Sequence, residues 1–359
     1  MNPNPPPGCP FIAGPALQNS QSFVGRQEAL DSITSRSAAA QPTSINVFGK
    51  RKIGKSSLLY RFCETYEQRV QRYGRNPSEF VAIYLSLQDA QCNKEANFYQ
   101  AVADKLIDRP SVRGNPNLTA PLSGSSLDRQ SFARAMDEWK ARGVLPILCL
   151  DKIEELLDRT GEFNDGFYDS LRSLMDRNAL MLVITSEQRL DVYSRKRKLT
   201  SDFFNLGHLL HLVELTELEA GDLVRLPDPN DPALSPEKQD LALEWGGRDP
   251  YLLQLAGFWL WEARRQDRLV DWAKQKFDEQ AQRFLKNRLR PSRWWLPLKW
   301  LFWDLPRKVG SLGRLIGANW AEIGDRIFGS VILITLGALA LGKVPWDKVK
   351  YVLEKAIGD

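Results

Sequence analysis

Histidine is nearly missing from this chain of 359 residues: there are two, His208 and His211. That excludes a histidine-built metal centre, and the pair, three residues apart by a strand start, is expected to be structural. The four cysteines, Cys9, Cys63, Cys92 and Cys149, stand singly. They offer neither the paired spacing of a zinc site nor a disulfide framework. The first residues, Met-Asn-Pro-Asn-Pro-Pro-Pro-Gly, lack a basic start and an apolar core. No signal peptide is expected there, and a cytoplasmic, reducing setting is. No segment recurs at a fixed period, which removes solenoids and propellers.

What is present describes a globular protein with ample core material: 43% hydrophobic residues against 26% charged. The net charge of +5 is unevenly spread. Lys286 to Asp359 carries 13 Lys/Arg against 6 Asp/Glu, so the rest of the chain is slightly acidic. Six of the 11 tryptophans lie in the same stretch, so a domain boundary is expected at 285/286.

Along the chain, apolar runs alternate with helical stretches. Strands are expected at Ser44–Phe48, Phe80–Leu85, Val144–Leu150, Leu180–Thr185 and Leu209–Leu215, with helices between them. Arg109–Ser126, rich in Pro, Gly, Ser and Asn, reads as a long surface loop. After Thr216 the chain turns helical at Glu217–Arg225, Pro236–Trp245 and Tyr251 to about Leu289. Strands that are apolar throughout, separated by helices, predict an α/β fold with a parallel sheet covered on both faces.

Gly49-Lys50-Arg51-Lys52-Ile53-Gly54-Lys55-Ser56 fits the phosphate-binding pattern G-x-x-x-x-G-K-[ST] between a strand and a helix. Glycine lets backbone N–H groups turn inward around phosphates, and the helix start adds a positive dipole end. Gly49, Ile53, Gly54, Lys55, Ser56 and Ser57 are the expected nucleotide contacts. Lys55 neutralises the outer phosphates, and the Ser56 hydroxyl ligates Mg²⁺. The second metal ligand is expected at the end of another apolar strand, where Asp151 stands. The residue after it is Lys152, where many such ATPases carry a water-polarising Glu. Glu154 is the nearby carboxylate considered for that task, and slow hydrolysis is expected. Ser186, ending its strand, is expected to sense the outer phosphate. Arg189 is placed to reach a phosphate or to pair with Asp191.

Together these residues resemble the STAND branch of signal-transduction ATPases, relatives of the AAA+ and origin-recognition ATPases. The resemblance rests on Cys9-Pro10-Phe11-Ile12-Ala13-Gly14-Pro15, Phe23-Val24-Gly25-Arg26, the glycine loop, Asp151, Ser186, and Gly247-Arg248-Asp249-Pro250-Tyr251-Leu252-Leu253-Gln254. It implies a P-loop NTPase sheet of the additional-strand type followed by a small helical lid. Val24, Gly25 and Arg26 would flank the adenine, and Pro250 would carry the lid's contact with ATP. It departs from the family at Lys152 and at Asp249, where relatives often carry His. The implied organisation is an extended arm (1–22), an ATPase core (23–225), a lid (226–285) and a basic, Trp-rich tail (286–359). The implied behaviour is a switch that self-associates on ATP binding, exchanges ATP for ADP and answers to a sensor or effector partner protein.

Within the tail, Ile327–Gly342 is sixteen residues without a charge. As a helix it spans about 24 Å, short of the roughly 30 Å of hydrocarbon in a bilayer. Flanking Trp320, Arg326, Lys343 and Trp346 suit the two interfaces. The segment is expected to meet membrane lipid, holding the protein at the inner face of the membrane as a single-pass or peripheral protein. The rival readings are a soluble AAA+-like ATPase acting on DNA, in replication or transposition, and a membrane scaffold that holds nucleotide without turnover.

Overall fold

A computed structural model describes residues 8–17, 22–124, 127–228 and 230–288. The chain parts into units 1–284 and 285–359, and the described architecture is essentially that of the first. The tail expected to meet membrane, 327–342 included, lies outside the described residues. Among those described, no helix is long and apolar enough to cross a membrane.

Helix α1 (Gln27–Ser37) leads to strand β1 (Ile45–Phe48), and the glycine loop joins β1 to α2 (Lys55–Arg72). Next come β2 (Phe80–Ser86), α3 (Glu95–Ile107), the short α4 (Pro110–Arg113) and α5 (Pro116–Thr119), and α6 (Arg129–Ala141). The α/β part is completed by β3 (Leu145–Asp151), α7 (Glu154–Leu157), α8 (Asp165–Asp176), β4 (Met181–Ser186), α9 (Leu190–Arg197) and β5 (His208–His211). A helical part follows: α10 (Glu217–Val224), a ribbon of β6 (Pro227–Asp228) and β7 (Asp231–Pro232), then α11 (Pro236–Gly246), α12 (Pro250–Arg265) and α13 (Val270–Arg288).

The five main strands form one parallel sheet in the order β2-β3-β4-β1-β5. Strand β4 therefore lies between the strand that feeds the glycine loop and the strand that ends on Asp151, which is the additional-strand arrangement. Side chains alternate across a strand, and here the alternation sorts the core into two layers. Ile45, Val47, Phe80, Ala82, Ile147, Cys149, Met181 and Val183 pack with α1 and α2. Val81, Ile83, Leu148, Leu150, Leu182 and Ile184 face the opposite way, toward α3, α6 and α8. A third core binds the lid helices α10 to α13 together and takes in Phe11 from the N-terminal arm.

Three expected elements need correction. The last strand stops at His211, not Leu215: Leu212 N donates to Phe48 O, and Leu215 N then turns to Arg248 O in the lid. The stretch 109–126 is not an unbroken loop. Pro110 and Pro116 open one-turn helices, where a missing N–H costs nothing, and Asn115 caps the second by accepting from Asn117 N. Val112, Leu118 and Leu122 are buried there, and Trp139 Nε1 donates to Leu118 O at 3.0 Å. The long C-terminal helix is two helices. Asp267 at φ 53° ends α12, and Arg268 N bonds back to Ala263 O, a left-handed cap.

Candidate nucleotide site

Strand β1 delivers the chain to Gly49, whose N donates to Ser186 O at 3.2 Å. A Cβ on Gly49 would stand 2.5 Å from Leu212 O, so no side chain fits against the neighbouring strand's exit. Gly54 caps α2 at φ 100°, a conformation that favours glycine, and a Cβ there would meet nothing within 4 Å. Leu58 N is the amide that closes the first turn of α2, on Gly54 O, and the first turn carries no acidic residue. The first amides of a helix lack a partner within it, and those of α2 stand at the positive end of its dipole. Lys55 Nζ arches over the loop, 2.6 Å from Gly49 O and 3.1 Å from Lys50 O. Ile53 is fully buried beneath.

Arg51 to Ser56 of the loop and Asp151 line one cleft of about 560 Å³. Asp151 is 1% exposed. It continues the Ile147, Cys149 side of β3, which faces α2, and on that face its neighbours are Tyr84 of β2 and Thr185 of β4. The Thr185 hydroxyl donates to Asp151 Oδ1 at 2.5 Å, and the Tyr84 hydroxyl to Oδ2 at 3.0 Å. Burial, with the Asp151 charge beside it, drives the Tyr84 phenol far above its ordinary pKa, so it stays a donor.

Ser186 points the other way. It shares the face of Leu182 and Ile184, is fully buried, and accepts from Asn46 Nδ2 at 2.7 Å. Thr185 lines the cleft and Ser186 does not. Strand parity relative to Asp151 decides between the two hydroxyls, and the sequence carries no signal of it at Thr185. Lys152, at φ 64°, donates its amide to Thr185 Oγ1 and its ammonium to Gln88 Oε1. Glu154 also lines the cleft, and its Oε1 accepts from Glu187 N and, at 2.9 Å, from Tyr193 OH. Burial pushes its carboxyl above the ordinary range, partly offset by those donors. Arg189 is committed to Asp191 through two bonds of 2.9 and 3.1 Å. His211 stacks on Phe48 with ring centres 4.7 Å apart.

Val24 and Arg26 line the cleft beside the loop. Gly25 at φ 69° lets the turn press against Glu219, where a Cβ would sit 2.6 Å from Glu219 Cγ. Glu219 Oε1 accepts from Arg26 N while Oε2 accepts from Thr216 N, so one carboxylate joins this turn to the start of α10. Glu219 titrates below the ordinary range: desolvation opposes this, but the Thr216 and Arg26 amides and the Arg26 charge outweigh it. The Arg26 guanidinium reaches Ile53 O at 3.2 Å, and burial lowers its own pKa. Pro250 opens α12 at the cleft. Asp249 is its N-cap, accepting from Tyr251 N at 3.0 Å and Leu252 N at 3.3 Å. Ser57 carries a contact of another kind: its hydroxyl accepts from Leu17 N of the arm at 2.9 Å.

These donors fit a magnesium-bound triphosphate. Backbone amides and an ammonium surround the anion's place, and one hydroxyl and one buried carboxylate suit an ion that keeps phosphate oxygens among its ligands. The chain superposes on solved structures. The Walker-type ATPase of Pyrococcus abyssi superposes with a TM-score of 0.55 at 15% identity, over 95% of this chain and 91% of that one. The ORC2 protein of Aeropyrum pernix, solved with ADPNP and ADP, gives 0.50 at 16% identity, over 75% and 70%. The fold is the mixed α/β fold of P-loop NTPases, built on a parallel five-stranded sheet. No family model matches the chain, and no curated protein does.

Proposed function

We propose that the protein binds ATP with Mg²⁺ and works as a nucleotide-dependent switch of the AAA+ kind, hydrolysing slowly. The observation that carries this is the meeting of Lys55, Ser56 and the buried Asp151 on one cleft, at the start of α2. Mg²⁺ and the triphosphate supply a polarised phosphorus centre when bound. Lys55 would balance charge on the outer phosphates, Ser56 and Asp151 would hold the metal, and Thr185 would fix the carboxylate's orientation. Slow turnover follows from Lys152 standing where a water-polarising Glu is usual, which leaves that task to Glu154, a carboxylate with Oε1 already engaged by two donors. Val24, Gly25, Arg26 and Pro250 would hold the base between core and lid. Contacts that join the lid to the core, Glu219 with Arg26 and Leu215 with Arg248, offer a route from nucleotide to lid and so to self-association.

A switch that acts on DNA, as the resemblance to origin-recognition ATPases implies, stands ahead of membrane-tethered STAND signalling, whose membrane segment falls outside the described residues. The test is ATP binding and turnover, side by side, for the intact chain and Lys55→Ala. Binding lost in the variant upholds the reading, and absence of ATP binding by the intact chain ends it. Turnover stimulated by DNA selects the DNA-acting form. Partition to anionic vesicles, lost on deleting 286–359, selects the tethered one.

A further inference from the structure

The carboxamide of Gln254 is fixed at one end and unsatisfied at the other. Gln254 lies on α12 one turn beyond Pro250, which puts both on the helix face that lines the cleft. It is 4% exposed. Its Oε1 accepts from Ile12 N of the arm at 2.8 Å, and because an N–H requires an oxygen opposite it, that bond decides which end is nitrogen. Nε2 is buried without a partner, a condition that is unfavourable for an amide donor. The arm segment that holds Oε1 is itself fixed: Phe11 packs on α12 so closely that a Cβ on Gly257 would stand 2.4 Å from Phe11 Cδ1. The cleft that Gln254 lines has Ile12, Val24, Leu215 and Leu223 among its walls, and the last three pack in the lid core with the neighbours of Gln254, Leu253 and Leu255. Apolar walls with one directed polar group suit a flat heterocycle with hydrogen-bonding edges.

We propose that Gln254 reads the base of the bound nucleotide and selects adenine over guanine. Nε2–H donates to a ring nitrogen, and the second lone pair of Oε1 accepts from the adenine amino group, the two-point pairing that a carboxamide makes with adenine. Guanine places a carbonyl where adenine has its amino group, so it sets oxygen against Oε1. This rests on the ATP-binding reading of the cleft and assigns its base specificity to one side chain. It also gives the arm a task, since Ile12 N holds the carboxamide in the reading orientation.

The test measures dissociation constants by calorimetry for ATP, GTP, purine riboside triphosphate and inorganic tripolyphosphate, on the full chain. The intact protein is expected to prefer ATP over GTP, and over the purine analogue that lacks the amino group, by about 10- to 100-fold. Gln254→Glu keeps an acceptor for Ile12 N but removes the donor, and Gln254→Met removes both. Each is expected to bring ATP and GTP to within about threefold of one another while tripolyphosphate affinity stays as it was. The analogue needs no variant, so a substitution that disturbs folding leaves that arm standing. Equal binding of ATP and GTP by the intact chain, or an ATP preference untouched in Gln254→Glu, overturns the assignment and leaves ATP binding itself in place. Failure of the intact chain to bind either ATP or tripolyphosphate removes the nucleotide reading and this one with it.

Discussion

The Thr185 hydroxyl and the Asp151 carboxylate are joined by a 2.5 Å hydrogen bond at the floor of the cleft, both buried. Thr185→Val keeps the shape and removes the donor. Orienting partners of metal-holding carboxylates are worth roughly 10- to 100-fold in metal affinity, so Mg²⁺-dependent ATP binding is expected to weaken by about that factor. Thr185→Ser should retain most of it. A magnesium titration of nucleotide binding checks this. An unchanged magnesium requirement in the valine variant would mean that Thr185 only fills space.

The same pair shows where sequence reading stops. The apolar strands around Val47, Ile83, Leu148 and Val183 are legible because burial on both faces leaves no polar alternation. The glycine loop is legible because its chemistry fixes residue types at fixed spacing. Which hydroxyl of Thr185-Ser186 shares a face with Asp151 depends on how β3 and β4 align, and that alignment is set by tertiary packing. Residues 109–126 were opaque for another reason: proline and asparagine both break chain and start helices. Only the burial of Val112, Leu118 and Leu122 decides for the second. Gln254 closes the lid motif, but its contact with the arm carries no sign in sequence, since Ile12 lies 242 positions away.

Lys52 of the glycine loop lies with its ammonium 3.8 Å from the centre of the Tyr251 ring and 5.2 Å from that of Phe284. The loop is thereby clasped to the start of α12 and to α13. Lys52→Met keeps length and apolar contact without the charge. Cation–π pairs are worth about 0.5–2 kcal/mol, so a small loss of stability is expected, with faster amide exchange in α12 and α13 than in the sheet. Uniform exchange throughout the chain would show that the contact does not hold the lid.

Gly25 combines a positive φ of 69° with a Cβ position 2.6 Å from Glu219 Cγ. Gly25→Ala therefore incurs backbone strain and displaces the carboxylate that holds Arg26 N. A loss of about 1–3 kcal/mol is expected, together with weaker nucleotide binding, read by denaturant unfolding and calorimetry. Gly74→Ala is the control: it has φ 73° but nothing within 4 Å of its Cβ. It should cost less and leave binding alone.

Glu154 gives a pH dependence with a defined sign. Its carboxyl is raised above its ordinary value of 4.5 by burial. The native chain therefore holds this proton more tightly than the unfolded chain does. Stability from this group is fully present below that ordinary value and is lost as pH rises through the raised native one. Glu154→Gln still accepts from Glu187 N and Tyr193 OH and cannot ionise. Its stability should fall less steeply than the intact chain's across that window, in denaturant midpoints measured stepwise from acid to neutral. In single-turnover assays the same variant should hydrolyse bound ATP more slowly, on the order of 10²-fold for the loss of a general base, while ATP affinity is kept. Parallel stability curves would show that Glu154 ionises without a burial penalty. Undiminished turnover would leave Glu154 as a strut for the Glu187 backbone and the water unassisted by it.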